Sequence, residues 1–382
     1  MDLTPTDSQR MLRESVARYV AENYDSEGRR KAAQEPQGFS AQHWRNFAEL
    51  GWLGLAFSEE DGGFGGGPVD IGIVMEEFGR GAVAEPFLST VLLGGGAIAT
   101  CGSAAQKRDF LPQIVQGDLH LSFAHYEKDP RHGLDAIAAE ARREQDGWHL
   151  RGRKVAVLDA AAAGIHVVSA RIAGAGDDAV ALFLVPRNAR GLTLRDAPRM
   201  GGGRIADLVL DDVVLPYDAR LGEDDNALPA IARIIDGALT AMSAEAVGLM
   251  SALVDTTIEF TKTRKQFGRA LAANQVIRHR LVDMYIACDE ARSTALRAAL
   301  YSGESSNDVV RAMAASGAKC KVGTSARKIA EEAVQLHGAM GVTDELDVGL
   351  YFKRLLAFET MLGSGDHHLR RHAALMRQSA SV

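Results

Sequence analysis

Ile231, Ile235, Met242, Ala246, Leu249 and Leu253 recur at helical spacing and form one long apolar face, beginning near Leu228 and running into Thr261-Lys-Thr-Arg-Lys-Gln-Phe-Gly-Arg-Ala-Leu271. A stripe of that length needs partner helices of comparable length to bury it. Helical patterns around Gln275 to Leu300, Asp308 to His337 and Asp366 to Met376, joined by short breaks, supply them and predict an antiparallel bundle.

The rest of the chain reads differently. From Thr6 to about Gly117 the pattern is helical, with Met11, Val16, Tyr19 and Val20 in register, a cap at Thr4 or Thr6, and glycine-rich breaks at 61–68 and 94–96. Between Leu119 and Pro216 short apolar runs predict strands: Trp148-His-Leu-Arg-Gly, Gly164-Ile-His-Val-Val-Ser, Ala179 to Val185 and Leu208 to Leu215. The expected fold is α+β: an N-terminal α-helical domain over 1–118, a middle β-barrel domain over 119–226 and a C-terminal antiparallel four-helix bundle over 227–382. A chain of 382 residues is long enough for several cores.

Composition narrows the partners. A net charge of -7 argues against nucleic acid. The three cysteines are far apart and read as reduced thiols, the opening MDLTPTDSQR has no apolar targeting core, and no uninterrupted apolar stretch suits a membrane span, so a soluble cytoplasmic protein is expected. Within Thr261 to Leu271, Arg264 offers a planar fork that binds phosphate through paired hydrogen bonds, with Gln266, Phe267 and Gly268 beside it. The competing reading is a helix C-terminus carrying Lys262, Arg264, Lys265 and Arg269 to suit the macrodipole. Gly94-Gly-Gly-Ala-Ile-Ala99 matches a dinucleotide loop only loosely, because no strand precedes it.

Several segments together carry a resemblance to the acyl-CoA dehydrogenase family over nearly the whole chain: Leu50-Gly-Trp-Leu-Gly-Leu55, Glu76-Glu-Phe-Gly-Arg80, Phe110-Leu-Pro112, Arg264-Lys-Gln-Phe-Gly268 with Gln275, and Gln335-Leu-His-Gly-Ala-Met-Gly341. The resemblance implies FAD bound between subunits. Arg264, Gln266, Phe267 and Gln275 would hold the pyrophosphate of FAD in a neighbouring subunit, and Gln335, Leu336, His337, Gly338 and Ala339 would approach its adenine half. Phe123 and Tyr126 fall where the family contacts the flavin ring, and Gly365 and His367 replace another FAD contact. Lys128-Asp-Pro-Arg131 and Ala156-Val-Leu158 depart from the family's flavin-binding loop and strand.

The implied reaction is α,β-dehydrogenation of an acyl-CoA thioester with hydride transfer to flavin, in a dimer, a tetramer or a heterotetramer with a second acyl-CoA dehydrogenase-like subunit. Electron-transfer flavoprotein is the implied acceptor. The family's glutamate base falls on Gly363, or in a second branch on Ala238, so neither is present. Glu245 and Asp236 are the candidate replacements, ahead of Glu359. The base is therefore expected to be relocated or supplied by a partner subunit. A flavin-dependent monooxygenase on the same fold and a non-catalytic subunit are the alternatives. His368 and His372 stand one helical turn apart but lack a third metal ligand, so the Asp366 to His372 run reads as a solvated helix face with no metal.

Overall fold

The computed structural model describes residues 3–127, 133–176, 179–303, 306–343 and 346–380. Six α-helices come first: α1 (Asp7–Asn23), α2 (Ser26–Gln34), α3 (Ala41–Glu49), α4 (Pro68–Gly81), α5 (Gly96–Cys101) and α6 (Ala104–Val115). Thr6 is the cap of α1, in a reciprocal box with Gln9. Trp44, Phe47, Trp52, Phe78 and Phe87 fill the core of this region, with Phe47 stacked on Phe78 at 4.9 Å.

One glycine run is not the break it resembles. Gly94 to Gly96 continue a wide-turned helix, Leu88–Gly95, directly into α5. Side chains are excluded there by contact: a Cβ on Gly94 would lie 2.5 Å from that of Leu121, and one on Gly95 would lie 2.7 Å from the Phe57 ring.

Eight strands follow: β1 (Leu121–Ala124), β2 (Glu140–Glu144), β3 (Gly147–Leu158), β4 (Ile165–Ile172), β5 (Val180–Pro186), β6 (Leu192–Pro198), β7 (Arg204–Leu215) and β8 (Arg220–Leu221). They form a mixed sheet in the order β6-β7-β3-β2-β4-β5-β8, with β1 added parallel to β4. The β1 and β4 ladder buries polar pairs, Ser122 with His166 at 2.7 Å and His125 with Ser169 at 3.0 Å.

The bundle is α7 (Leu228–Thr263), α8 (Gln275–Leu300), α9 (Asp308–His337), α10 (Val348–Thr360) and α11 (Gly365–Ala380), with a two-stranded hairpin of β9 (Lys265–Gln266) and β10 (Arg269–Ala270) between α7 and α8. Helix α9 packs against α7, α8, α10 and α11. Helix α7 is apolar and long enough to cross a membrane by composition, yet most of that stretch is buried in the protein. Its first turns, Ile231 to Ala241, share a core with the sheet and the N-terminal helices, while Met242 onward belongs to the core of the bundle. Helix α7 is thus the element that joins all three regions.

Close approach of α4 and α7 makes a stability prediction. A Cβ on Gly248 would fall 1.8 Å from the Glu76 carbonyl oxygen. Gly248→Ala must push the two helices apart and should cost about 1–3 kcal/mol in urea unfolding.

Burial also sets an acid response. His120 and His166 are pushed down to about 4 and His125 and His368 to about 3, each mainly by desolvation. Below pH 6.5 the unfolded chain takes up protons that the fold refuses, so these four groups make stability fall as pH drops from 6.5 toward 4. Burial pushes the carboxyls of Asp159 and Glu85 up, which opposes that trend. Replacing His166 with Asn should flatten the urea-midpoint profile between pH 7 and pH 5. An unchanged slope would show that His166 is not held neutral.

Candidate active site

Helix α7 carries two clusters, one near each end. At its C-terminal end the chain leaves the helix at Arg264, whose N–H donates to the Phe260 carbonyl. The next residues form a hairpin in which Phe267 and Gly268 both have positive φ, +52° and +78°. Gly268 therefore serves a β-turn between β9 and β10. Two left-handed residues suit the twist of a two-residue hairpin, but a bulky residue takes that conformation only at a cost. Phe267 is 100% exposed despite this.

The side chains here are open to a ligand. The side chains of Arg264 and Gln266 make no hydrogen bond or ion pair among the described residues, and Gln275 is exposed at the start of α8. His337, the last residue of α9, stacks on Phe260 at 4.2 Å and so ties the end of α9 to that of α7. Gln335, Gly338 and Ala339 are exposed beside it, while Leu336 and His337 are buried. His337 Nδ1 bonds the Ala333 carbonyl at 2.8 Å, leaving Nε2 buried with no partner in the fold. An unpaired guanidinium, an uncovered aromatic ring, open backbone at Gly338 and an orphaned acceptor fit a bound dinucleotide better than a finished helix end.

Near the other end of α7, Asp236 is fully buried. Its Oδ1 accepts from Arg371 Nη1 of α11 at 2.5 Å, and Oδ2 lies 3.7 Å from Arg311 Nε of α9. Arg371 also donates to Ser316 Oγ at 3.1 Å. Tyr126, just beyond β1, sits within the field of this Arg371 and Asp236 pair, and burial pushes its phenol up. Its carbonyl accepts from Val155 N–H at 2.9 Å. Phe123 is buried on β1, and Gly365 and His367 begin α11. The segment 128–131 lies outside the described residues.

The carboxylates have arginine partners. Glu245 Oε1 accepts from Arg354 Nη2 at 2.7 Å and Nε at 3.1 Å, and Glu359 pairs with Arg327. Ala238 is buried in the core. The Asp366 to His372 run departs from the solvated face expected of it. His368 is 2% exposed with Nε2 on the Leu362 carbonyl at 2.9 Å, His372 Nδ1 bonds the Met313 carbonyl, and Arg371 is spent on Asp236. The reason is packing: α11 lies along α9, so only part of its surface reaches water. The Arg371 and Arg311 contacts to Asp236 are not visible in the sequence, where the only signal is a lone acid in an apolar helical run.

Three family descriptions match this architecture segment by segment: acyl-CoA dehydrogenase N-terminal domain over residues 6–118, middle domain over 124–213 and C-terminal domain over 231–376. Acyl-CoA dehydrogenase FadE12 of Mycobacterium tuberculosis is 30% identical over 349 residues, 90% of this chain and 89% of that protein. The chain belongs to the acyl-CoA dehydrogenase family. Family members bind FAD and act as oxidoreductases on CH–CH bonds. Among solved structures, the ChsE4-ChsE5 complex of Mycobacterium tuberculosis superposes with a TM-score of 0.89 at 25% identity, covering 99% of each chain. The G363A variant of the Tcur3481-Tcur3483 steroid acyl-CoA dehydrogenase gives 0.87 at 28% identity, covering 98% of this chain and 99% of that one.

Proposed function

We propose that this protein is a cytoplasmic FAD-dependent acyl-CoA dehydrogenase whose cofactor is shared between subunits, with electron-transfer flavoprotein as the electron acceptor. One observation carries this reading: the two clusters sit on one helix but far apart. Asp236 and Arg264 are separated by 28 residues of α7, about 42 Å at 1.5 Å per residue. That is more than an extended dinucleotide spans. One chain's clamp and its own ring-side cluster therefore serve different FAD molecules, and a second chain completes each site.

FAD would supply hydride acceptance at its flavin ring. This chain's residues would do the rest: Arg264 and Gln266 would bind the pyrophosphate, Gln275 and the backbone at Gly338 and Ala339 would border the adenine half, and Tyr126 would offer a hydroxyl beside the ring. The buried apolar surface around Ala238 keeps water from the reacting carbons. The second chain is either a copy or an unequal relative, and the likeness to the two named complexes supports the unequal pairing.

Flavin content and subunit mass, measured together by absorbance and sedimentation, test the sharing. A yellow oligomer that bleaches anaerobically with an acyl-CoA supports the proposal. A monomer holding a full equivalent of FAD removes it. Bleaching only by an external reductase, followed by oxygen consumption, would instead favour a monooxygenase.

A further inference from the structure

Gly363 stands where the resemblance places a glutamate base, and its surroundings explain why no side chain is there. Its φ is +107°, and a Cβ added to it would lie 2.8 Å from His368 Nε2 and 3.0 Å from His367 Cδ2. Two imidazoles fill the space that a side chain at 363 would enter.

The two rings are not equivalent. His368 is buried and committed, with Nε2 on the Leu362 carbonyl and Nδ1 3.4 Å from Ser316 Oγ. The His367 ring is half-buried and makes no hydrogen bond among the described residues; its ring contact is an edge-on approach to His368 at 5.0 Å. Its backbone is fixed, because His367 N–H donates to Ser364 Oγ at 3.3 Å in the first turn of α11. Cδ2 of this unpaired imidazole borders the space that a side chain at 363 would enter. The resemblance places the same residue beside FAD, where the acyl group must also lie.

We propose that His367 is the base that removes the substrate α-proton. This rests on the acyl-CoA dehydrogenase reading above and places the missing base in this chain instead of in a partner. In the step, the Cα–H bond breaks, a new N–H bond forms on the imidazole, and the electron pair left on Cα delocalises onto the thioester oxygen as an enolate. Bound FAD would accept the β-hydride, and the same electron pair would then form the α,β double bond.

The setting favours a neutral ring. Burial lowers the His367 pKa, and Arg371 and then Arg370 lower it further. The other charged or titratable groups nearby are His368, Lys319 of α9, whose charge bears on His368, and Asp236 of α7, which Arg371 neutralises. The start of a helix also disfavours a positive charge. The base is therefore ready to accept a proton at neutral pH.

The test is α-proton exchange. A 3-thiaacyl-CoA has an acidic α-position but carries sulfur where the β-hydride would leave, so it exchanges without being oxidised. Incorporation of deuterium from D2O is followed by mass spectrometry on the full chain with and without FAD, using short and long 3-thiaacyl chains, with binding measured separately by calorimetry. His367→Ala and the more conservative His367→Gln should both lose exchange about 100-fold or more while binding stays within a few-fold. Added imidazole should partly restore the alanine variant but not the glutamine variant, and the wild-type rate should rise with pH and already be at its plateau by pH 6.5. Unchanged exchange in both variants, loss without imidazole rescue, or wild-type binding without exchange overturns the His367 assignment and leaves the proposed function standing. Failure of the wild-type protein to bind any of these thioesters overturns the proposed function itself.

Discussion

Arg264→Ala should yield protein that purifies without its yellow colour. The side chain finds no hydrogen-bond or ion-pair partner among the described residues, so removing it leaves the folding equilibrium nearly untouched and takes away only ligand contacts. Two charge-assisted hydrogen bonds to a phosphate contribute about 1.5–3 kcal/mol each, so FAD affinity should fall by about 100-fold or more. The absorbance near the flavin bands, relative to protein, gives the retained fraction, and thermal unfolding of the cofactor-free protein supplies the control. Arg264→Lys should recover little of the loss, because an ammonium cannot present the paired geometry. An alanine variant that keeps a full complement of flavin would return Arg264 to its competing reading, a cation at a helix end.

Arg354→Ala should be the most damaging single change to stability. The Arg354 guanidinium donates to the Ala82 carbonyl at 2.8 Å, to the Val83 carbonyl and to Glu245, joining α10 to the end of α4 and to α7. Its side chain is 11% exposed and that of Glu245 16%. Alanine leaves a carboxylate and two carbonyls without their donor, and the expected loss is about 3–5 kcal/mol. Chemical denaturation of the cofactor-free protein measures it directly. Arg354→Ala combined with Glu245→Leu should recover part of the loss, since the unpaired charge is then gone. If the single variant unfolds at the wild-type denaturant concentration, the triple junction is not held by this residue.

The long helices were legible because their evidence is local and repeats. The spans Gln275 to Leu300 and Asp308 to His337 appear in the sequence with the same limits as in the fold. Helix α10 gave no such signal, and β2, whose residues Glu140-Ala-Arg-Arg-Glu144 are mostly charged, becomes a strand only because β3 and β4 flank it. The cluster proposed to hold the cofactor was visible for a similar reason: its arginine, amide and aromatic residues are contiguous. Asp236 was harder, since its partners Arg371 and Arg311 are 135 and 75 residues away and reach it only when α9 and α11 pack together. The geometry around Gly363 was not legible at all. A glycine in sequence gives no indication that two imidazoles occupy the volume beside it.

The separation of the two clusters along α7 has a consequence for how such a protein behaves on dilution. When two chains grip opposite ends of one small molecule, releasing the molecule and parting the chains become a single thermodynamic event. Cofactor affinity then depends on protein concentration, and each flavin acts as a cross-link between subunits. Diluting the assembly should release flavin in step with mass, so the onset of flavin fluorescence would report the subunit dissociation constant without any label.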